Sequence, residues 1–321
     1  MRLQADAGLD VLLPGKHIND GFAQCNILPG VSVLANDQAP LALSKEVLAW
    51  AYVAVVLAIQ NSRHRLREAT WVEEQFAMPS LFARVDHIGK SICEVELRPN
   101  GVGVVATALP SLNKRLYEVR ARCWHGLKVV VAASPERTAL VDDARAGLTV
   151  VRTASLGDLP DDALCIVRAD PQESAFVPFQ PRSVSPITSD GDRQYGIDVL
   201  WDRFDPTRVD WNVPFVVKGP GTRSEAVYFW DPASMRQESF LKTLPDAELI
   251  VQPRFEHAPN PYARVVHENG DVIPYATLHR SFFFFNVRTF QWEHAATCWA
   301  ACPTPPVHGT PELVLGPVRF V

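Results

Sequence analysis

The chain has 321 residues, of which 47% are hydrophobic and 21% charged, with a formal net charge of −5 and a pI near 6.0. That length supports two or three modules built into one body, and the balance is that of a globular protein, which excludes a disordered chain. The acidic balance and the lack of any long basic run exclude nucleic acid as the main partner.

Residues 1 to about 43 are rich in Gly, Pro, Asn and Asp and predict irregular or short-stranded structure. Ser44 then caps a helical stretch that runs to about Phe76, apolar on nearly all faces at first and strongly charged from Arg63 to Glu74. Its apolar run, Val47 to Ile59, is shorter than the ~20 residues a bilayer span needs, so a buried helix is expected and no membrane partner. The beginning of the chain shows no cleavable signal pattern. Six cysteines without a CxxC pair fit reduced thiols and a cytoplasmic location. Cys298 and Cys302 beside Glu293 and His294 allow a zinc reading, but two buried thiols account for them better.

From Ile92 the pattern alternates between β-rich runs and helical segments: ICEVEL, Leu112 to Cys123, LKVVVAA, Glu136 to Ala146, LTVVRTA and ALCIVRA. Such alternation predicts a parallel sheet with helices on its faces, a Rossmann-like module. Gly101, Gly103 and Ala106 form a G-x-G-x-x-A pattern at its start, and Ser134 and Arg137 follow the next strand. Together they keep open a reading as an NAD(P)-dependent oxidoreductase, although Arg98, Pro99 and Asn100 separate the strand from the first glycine and Pro110 interrupts the helix. Pro171 to Asp192 reads as a connection, and Asp192 to Phe204 as a helix. The expected segments are therefore 1–90, 91–180 and 181–321.

The last segment opens with Val213 to Val217, a β-rich run that delivers Lys218 into the Gly219-Pro220-Gly221 turn, with a second run from Ala226 to Trp230. A strand, glycine turn and strand in this order hold a cation over a loop whose N–H groups can approach phosphate oxygens. Leu249 to Phe255 predicts a further strand, and Tyr262 to Arg280 a strand pair around the Glu268-Asn269-Gly270 turn.

The order Asp192-Arg193, PFVVKGPG, ELIVQPRF and YARVVHENGDVIPYATLHR resembles the ATP-grasp superfamily, and in it glutathione synthetase and related carboxylate–amine ligases. The resemblance covers roughly Leu164 to Arg280. It implies an α/β protein in which a Rossmann-like parallel-sheet module precedes an ATP-grasp-type α+β module. It also implies an ATP- and Mg2+-dependent ligase that joins a small carboxylic acid to an amine, such as an amino acid or peptide, through an acyl phosphate.

On this resemblance Arg193, Lys218, Gly219, Gly221 and Arg223 face the phosphates, Gln252, Arg254 and Phe255 lie along the adenine, and Arg264 and Arg280 face the phosphates and acyl substrate. Two departures stand out. Thr222, Arg223 and Ser224 replace further glycines, and the acidic-x-Asn pair that holds magnesium is missing after Ser281, leaving Glu312 as the candidate ligand. The second departure keeps open a nucleotide-binding or scaffold protein without catalysis. Finally, Ser281 to Phe290 is expected in a core or against a partner, with Phe282 to Phe285 as a homo-oligomer interface.

Overall fold

The run after Ser44 forms helix α1 (Lys45–Arg65) in the computed structural model. Ser44 Oγ accepts the Glu46 N–H at 3.2 Å, which satisfies one of the helix's unpaired donors. Val47, Ala51, Ala54 and Val55 form a buried stripe, whereas Trp50, Tyr52 and Val53 stay exposed. A helix that is apolar all round was expected to be buried all round, but only one of its sides meets the sheet described below. The structure describes residues 15–28, 31–65, 81–96, 101–127, 129–133, 149–152, 164–167, 184–185, 193–194, 202–218, 227–246, 249–303 and 313–321.

The chain is mixed α/β and mostly sheet. Its largest sheet takes in β1 (Lys16–Asn19), β2 (Ala23–Leu28), β3 (Val31–Ala35), β4 (Leu41–Leu43), β5 (Phe82–Ile88) and β6 (Ser91–Glu96) from the first third of the chain. The parallel sheet expected in the middle is present as β7 (Val129–Ala133), β8 (Thr149–Arg152), β9 (Leu164–Val167) and β10 (Val184–Ser185), in the order β10-β9-β7-β8 with every pairing parallel. The helix expected at Glu136 to Ala146 lies outside the described residues. A third sheet, all antiparallel, is ordered β12-β15-β13-β14 and formed by β12 (Asp202–Arg203), β13 (Phe215–Lys218), β14 (Val227–Trp230) and β15 (Ile250–Pro253).

The large sheet is completed by β11 (Arg193–Gln194), β16 (Ala258–Val266), β17 (Val272–Asn286), β18 (Gln291–Cys302) and β19 (Val314–Phe320). Its main path runs β11-β6-β5-β17-β18-β19-β3-β2, with β16 joining β17 to β1 and β4 beside β19. This sheet draws on all three segments separated in the sequence, and the boundary at 90 falls between the paired strands β5 and β6. Two expectations change as a result. ICEVEL is not the first strand of the parallel sheet but β6, antiparallel to β5 and β11. Arg193 begins no helix; it pairs with Glu96 as part of β11.

β17 is the spine of the sheet, and its side chains explain four consecutive phenylalanines. Successive residues of a strand point to opposite faces. Phe282 and Phe284 meet Phe82, and Phe284 meets Trp124, the residue that follows α3 (Pro110–Cys123); Phe283 meets Tyr52 of α1. With helices over both faces, Phe282 to Phe285 are all at most 3% exposed. The chain itself covers the rings for which an oligomer contact was expected, and each such burial contributes about 2–3 kcal/mol.

Before α3 runs α2 (Val102–Ala108), and the two are separated at Leu109 and Pro110 as the proline predicted. Gly101 adopts φ +75° at the start of α2, a conformation that favours glycine. The strand before this turn is antiparallel β6, so the βαβ context that a dinucleotide fingerprint requires is absent. Gly103 and Ala106 are buried as packing positions of α2. The NAD(P) reading of the Gly101 turn falls on that topology.

Candidate functional site

Lys218 ends β13, paired with Val227 of β14 on one side and Ile250 of β15 on the other. The strand forms because Phe215, Val216 and Val217 are buried, Phe215 and Val217 with Trp230, Phe240 and Leu249 in the small sheet's own core. Phe240 comes from α4 (Gln237–Thr243). Lys218 is only 8% exposed, and its Nζ donates to the carbonyl of Cys93 on β6 at 3.0 Å. Gln252 of β15 donates from Nε2 to the same carbonyl at 3.3 Å. Two side chains of the small sheet thus converge on one peptide group of the large sheet.

Beside Cys93 lies a buried charge cluster. Arg84 of β5 donates from Nε to Asp86 Oδ1 at 2.9 Å and from a terminal nitrogen to Asp86 Oδ2 at 3.2 Å; the same nitrogen reaches Glu94 Oε1 at 2.9 Å. From β17, Arg280 brings its Nε within 3.4 Å of Asp86 Oδ2. That distance is an ion pair, but the N–H is not directed into a hydrogen bond. The strands enforce the cluster, since Arg280 stands opposite Asp86 and Asp86 opposite Glu94. Arg84 and Arg280 supply two cations against the two carboxylates, and Lys218 brings a third to the carbonyl of the neighbouring Cys93.

Burial sets the chemistry of the thiols. Burial pushes Cys93 up to about 12, against the pull of Lys218, and Cys298 up to about 12, against that of Arg280. Burial likewise raises Cys123 to about 12. These are inert, protonated thiols. Cys298 and Cys302 are buried in strand β18, as the thiol reading expected, and among the described residues no three His, Cys, Asp or Glu side chains are grouped to hold a metal.

The expected phosphate and substrate residues separate in space. Lys218, Gln252 and Arg280 come to the β5–β6–β17 patch. Arg254 instead pairs with Asp231 at 3.4 Å and lies over the Phe229 ring, and Phe255 follows β15 half-buried. Arg264 is exposed, 3.8 Å from Asp20, and stands opposite Pro274. Since Pro274 precedes Arg280 by six residues of strand, these two arginines are about 20 Å apart and do not share a site. Gly219, Gly221, Arg223 and Glu312 lie outside the described residues, as does the side chain of Arg193. A cavity of about 480 Å³ lined by Gly15, Lys16, Ile18, Val266, His267 and Glu268 contains none of the expected residues.

Arg84, Asp86 and Glu94 escaped the sequence reading. Their signal was there: charges at every second position of apolar runs, in ARVDHI and ICEVEL, mark one face of a strand. The expected magnesium ligand, Glu312, lies outside the described residues, and the carboxylates of the cluster are already engaged. Both Asp86 oxygens are engaged by guanidinium groups, and Glu94 Oε1 is held by Arg84. A hard cation needs such oxygens free.

No family model matches this sequence, and no curated protein matches it. Among solved structures it is similar to a glutathione synthetase-like effector from Globodera pallida in its apo form, at 10% identity and a TM-score of 0.39, over 88% of this chain and 89% of that one. It is also similar to a protein named as a γ-glutamylcysteine synthetase from Methylobacillus flagellatus, at 10% identity and a TM-score of 0.36, over 83% of each chain. Both are distant likenesses. No helix among the described residues is long and apolar enough to cross a membrane.

Proposed function

We propose that this chain binds ATP between its small antiparallel sheet and the β5–β6–β17 patch, and that it is a ligase of the carboxylate–amine type. The observation that carries the reading is the meeting of Lys218 with the Cys93 carbonyl across two sheets, next to the Arg84, Asp86, Glu94 and Arg280 cluster, at a lysine whose strand-and-glycine sequence resembles that of the ATP-grasp superfamily. Partly enclosed cations placed in advance are what transferring phosphoryl groups require.

In the reaction proposed, a substrate carboxylate oxygen attacks the γ-phosphorus and ADP leaves. An amine then attacks the acyl carbon, phosphate departs and the nitrogen loses a proton to give the amide. Lys218 would hold the phosphates, Gln252 would flank the base, and Arg280 would face the acyl phosphate. Asp86 and Glu94 are held by Arg84 and Glu312 lies outside the described residues, so no step is assigned to a metal.

The reading is tested by calorimetry with ATP, ADP and NADPH at matched salt, followed by a screen for ATP-dependent phosphate release over amino acids and small peptides. ATP binding with release in the presence of one acid–amine pair is the expected result. Silence towards ATP would remove the reading. A second reading, nucleotide binding without catalysis, is favoured by one observation: Asp86 and Glu94 are both engaged by arginine. It predicts ATP binding with no phosphate release over the whole screen.

A further inference from the structure

β5 and β17 carry the charge cluster on one face and a histidine network on the other. Asp86 stands opposite Arg280, and the next pair, His87 opposite His279, points the other way. The two imidazoles stack with centroids 5.4 Å apart at 20°. His87 shares one hydrogen bond with the Gly89 carbonyl at 3.0 Å and another with Ser281 Oγ at 3.0 Å. Ser281 and Thr297 hydroxyls are 2.8 Å apart, and His294 Nε2 lies 2.8 Å from Thr297 Oγ1. His87 and Ser281 are fully buried, Thr297 is 2% exposed, and the Nδ1 atom of His279 is buried with no hydrogen-bond partner.

We propose that His87, His279 and His294, with the hydroxyls of Ser281 and Thr297, form an acid-sensitive latch that holds β5 to β17 and releases when a proton enters it.

The direction of every bond in the chain follows from one fixed point. A carbonyl can only accept, so His87 carries its proton on Nδ1 towards Gly89, which makes Nε2 an acceptor. Ser281 then donates to His87, Thr297 donates to Ser281, and His294 Nε2–H donates to Thr297. A second proton on His87 reverses this order. Nε2 must then donate to Ser281, Ser281 must turn its proton to Thr297, and Thr297 must turn its own to His294, whose Nε2 accepts it only once the His294 proton has moved to Nδ1. One proton therefore forces the whole chain of hydrogen bonds to reverse and places a buried cation against the face of a second buried imidazole.

The surroundings offer little relief. The charged groups of the elements packed here are Asp86 beside His87 on β5, with Arg280 of β17 and Glu94 of β6 opposite Asp86 on the other face, Lys90 after β5 paired with Glu46 of α1, and Arg115 of α3 held at Ala295 beside His294. Of these, Asp86 favours a charged His87 and Arg115 opposes a charged His294. Asp86 and Glu94 are themselves committed to Arg84, and Glu46 to Lys90. Burial is the dominant influence throughout, holding His87 and His294 down to about 4 and His279 down to about 3.

A group whose pKa is depressed in the closed state favours opening as the pH falls below its ordinary value near 6.5, down to the closed-state value. For one such histidine, lowering the pH from 7.5 to 5.0 multiplies the opening equilibrium by up to about 30. Two or more acting together give on the order of 100-fold or more.

The test is hydrogen exchange on the full chain at pH 7.5 and pH 5.0, read as protection factors of the β5 and β17 amides, with His279→Phe alongside wild type. Wild-type protection is expected to fall about 100-fold or more, and the variant's fall to be smaller by about tenfold or more. Equal falls in both proteins would overturn the latch. Should the variant not fold, wild type labelled with 15N-histidine decides. Three of the nine rings should stay neutral at pH 5.5 while the chain remains closed, and all nine titrating near 6.5 would overturn it. The readout needs no nucleotide, so it stands apart from the ATP reading.

Discussion

Replacing Lys218 by methionine keeps the buried stem and removes only the ammonium. In the folded protein this deletes the charge-assisted bond from Nζ to the Cys93 carbonyl at 3.0 Å. Such a bond stabilises by about 1.5–3 kcal/mol, but methionine also spares the desolvation of a buried cation, so the net change in stability is expected to stay within about 1 kcal/mol. ATP affinity has no such compensation. A unit charge about 4 Å from a phosphate charge contributes about 4 kcal/mol at an effective dielectric constant near 20, and even half of that is about 30-fold in Kd. Calorimetry with ATP, paired with thermal unfolding of both proteins, reads the two quantities separately. An ATP affinity within about threefold of wild type, at unchanged stability, would refute the phosphate role of Lys218.

Removing Arg84 or Asp86 alone should destabilise by about 3–5 kcal/mol, since each leaves its partner charged and buried; in a double-mutant cycle read by urea unfolding the coupling should exceed about 1.5 kcal/mol. Gly316→Ala should cost about 1–3 kcal/mol, because its new Cβ would sit 2.3 Å from the Trp299 ring, which stacks on Tyr262 and is itself fully buried. A midpoint unchanged in urea would show that the ring can yield. Cys93, Cys123 and Cys298, with thiols near 12, should resist a thiol-specific disulfide reagent at pH 8 in the native protein and react once it is unfolded, as mass spectrometry of the labelled peptides would show.

Much of the local structure was legible in the chain because its signals are short-ranged. Ser44 capped its helix, Pro110 broke another, and the Asn269-Gly270 turn joined β16 to β17 with Gly270 at φ +90°. The strand ahead of Lys218 was equally plain, since four residues of β-rich sequence ending at a glycine turn admit few alternatives. ICEVEL was recognised as a strand but given to the wrong sheet. Its neighbours in sequence suggested a parallel module, whereas its hydrogen bonds go to β5 and β11.

Strand partnership is where the sequence alone stops. Pairing links residues separated by more than a hundred positions, and nothing in the residues of β5 names β17 as its neighbour. By itself the sequence determined Lys218 as the cation of a strand-and-turn element and Arg280 as the charge that ends the strand pair from Tyr262. Only the tertiary structure set Arg280 against Asp86, carried Arg264 about 20 Å away along the sheet, and brought Arg84 and Glu94 into the cluster. The physical reason is register: alternation fixes which face a side chain takes, and the partner strand fixes which charge it meets there.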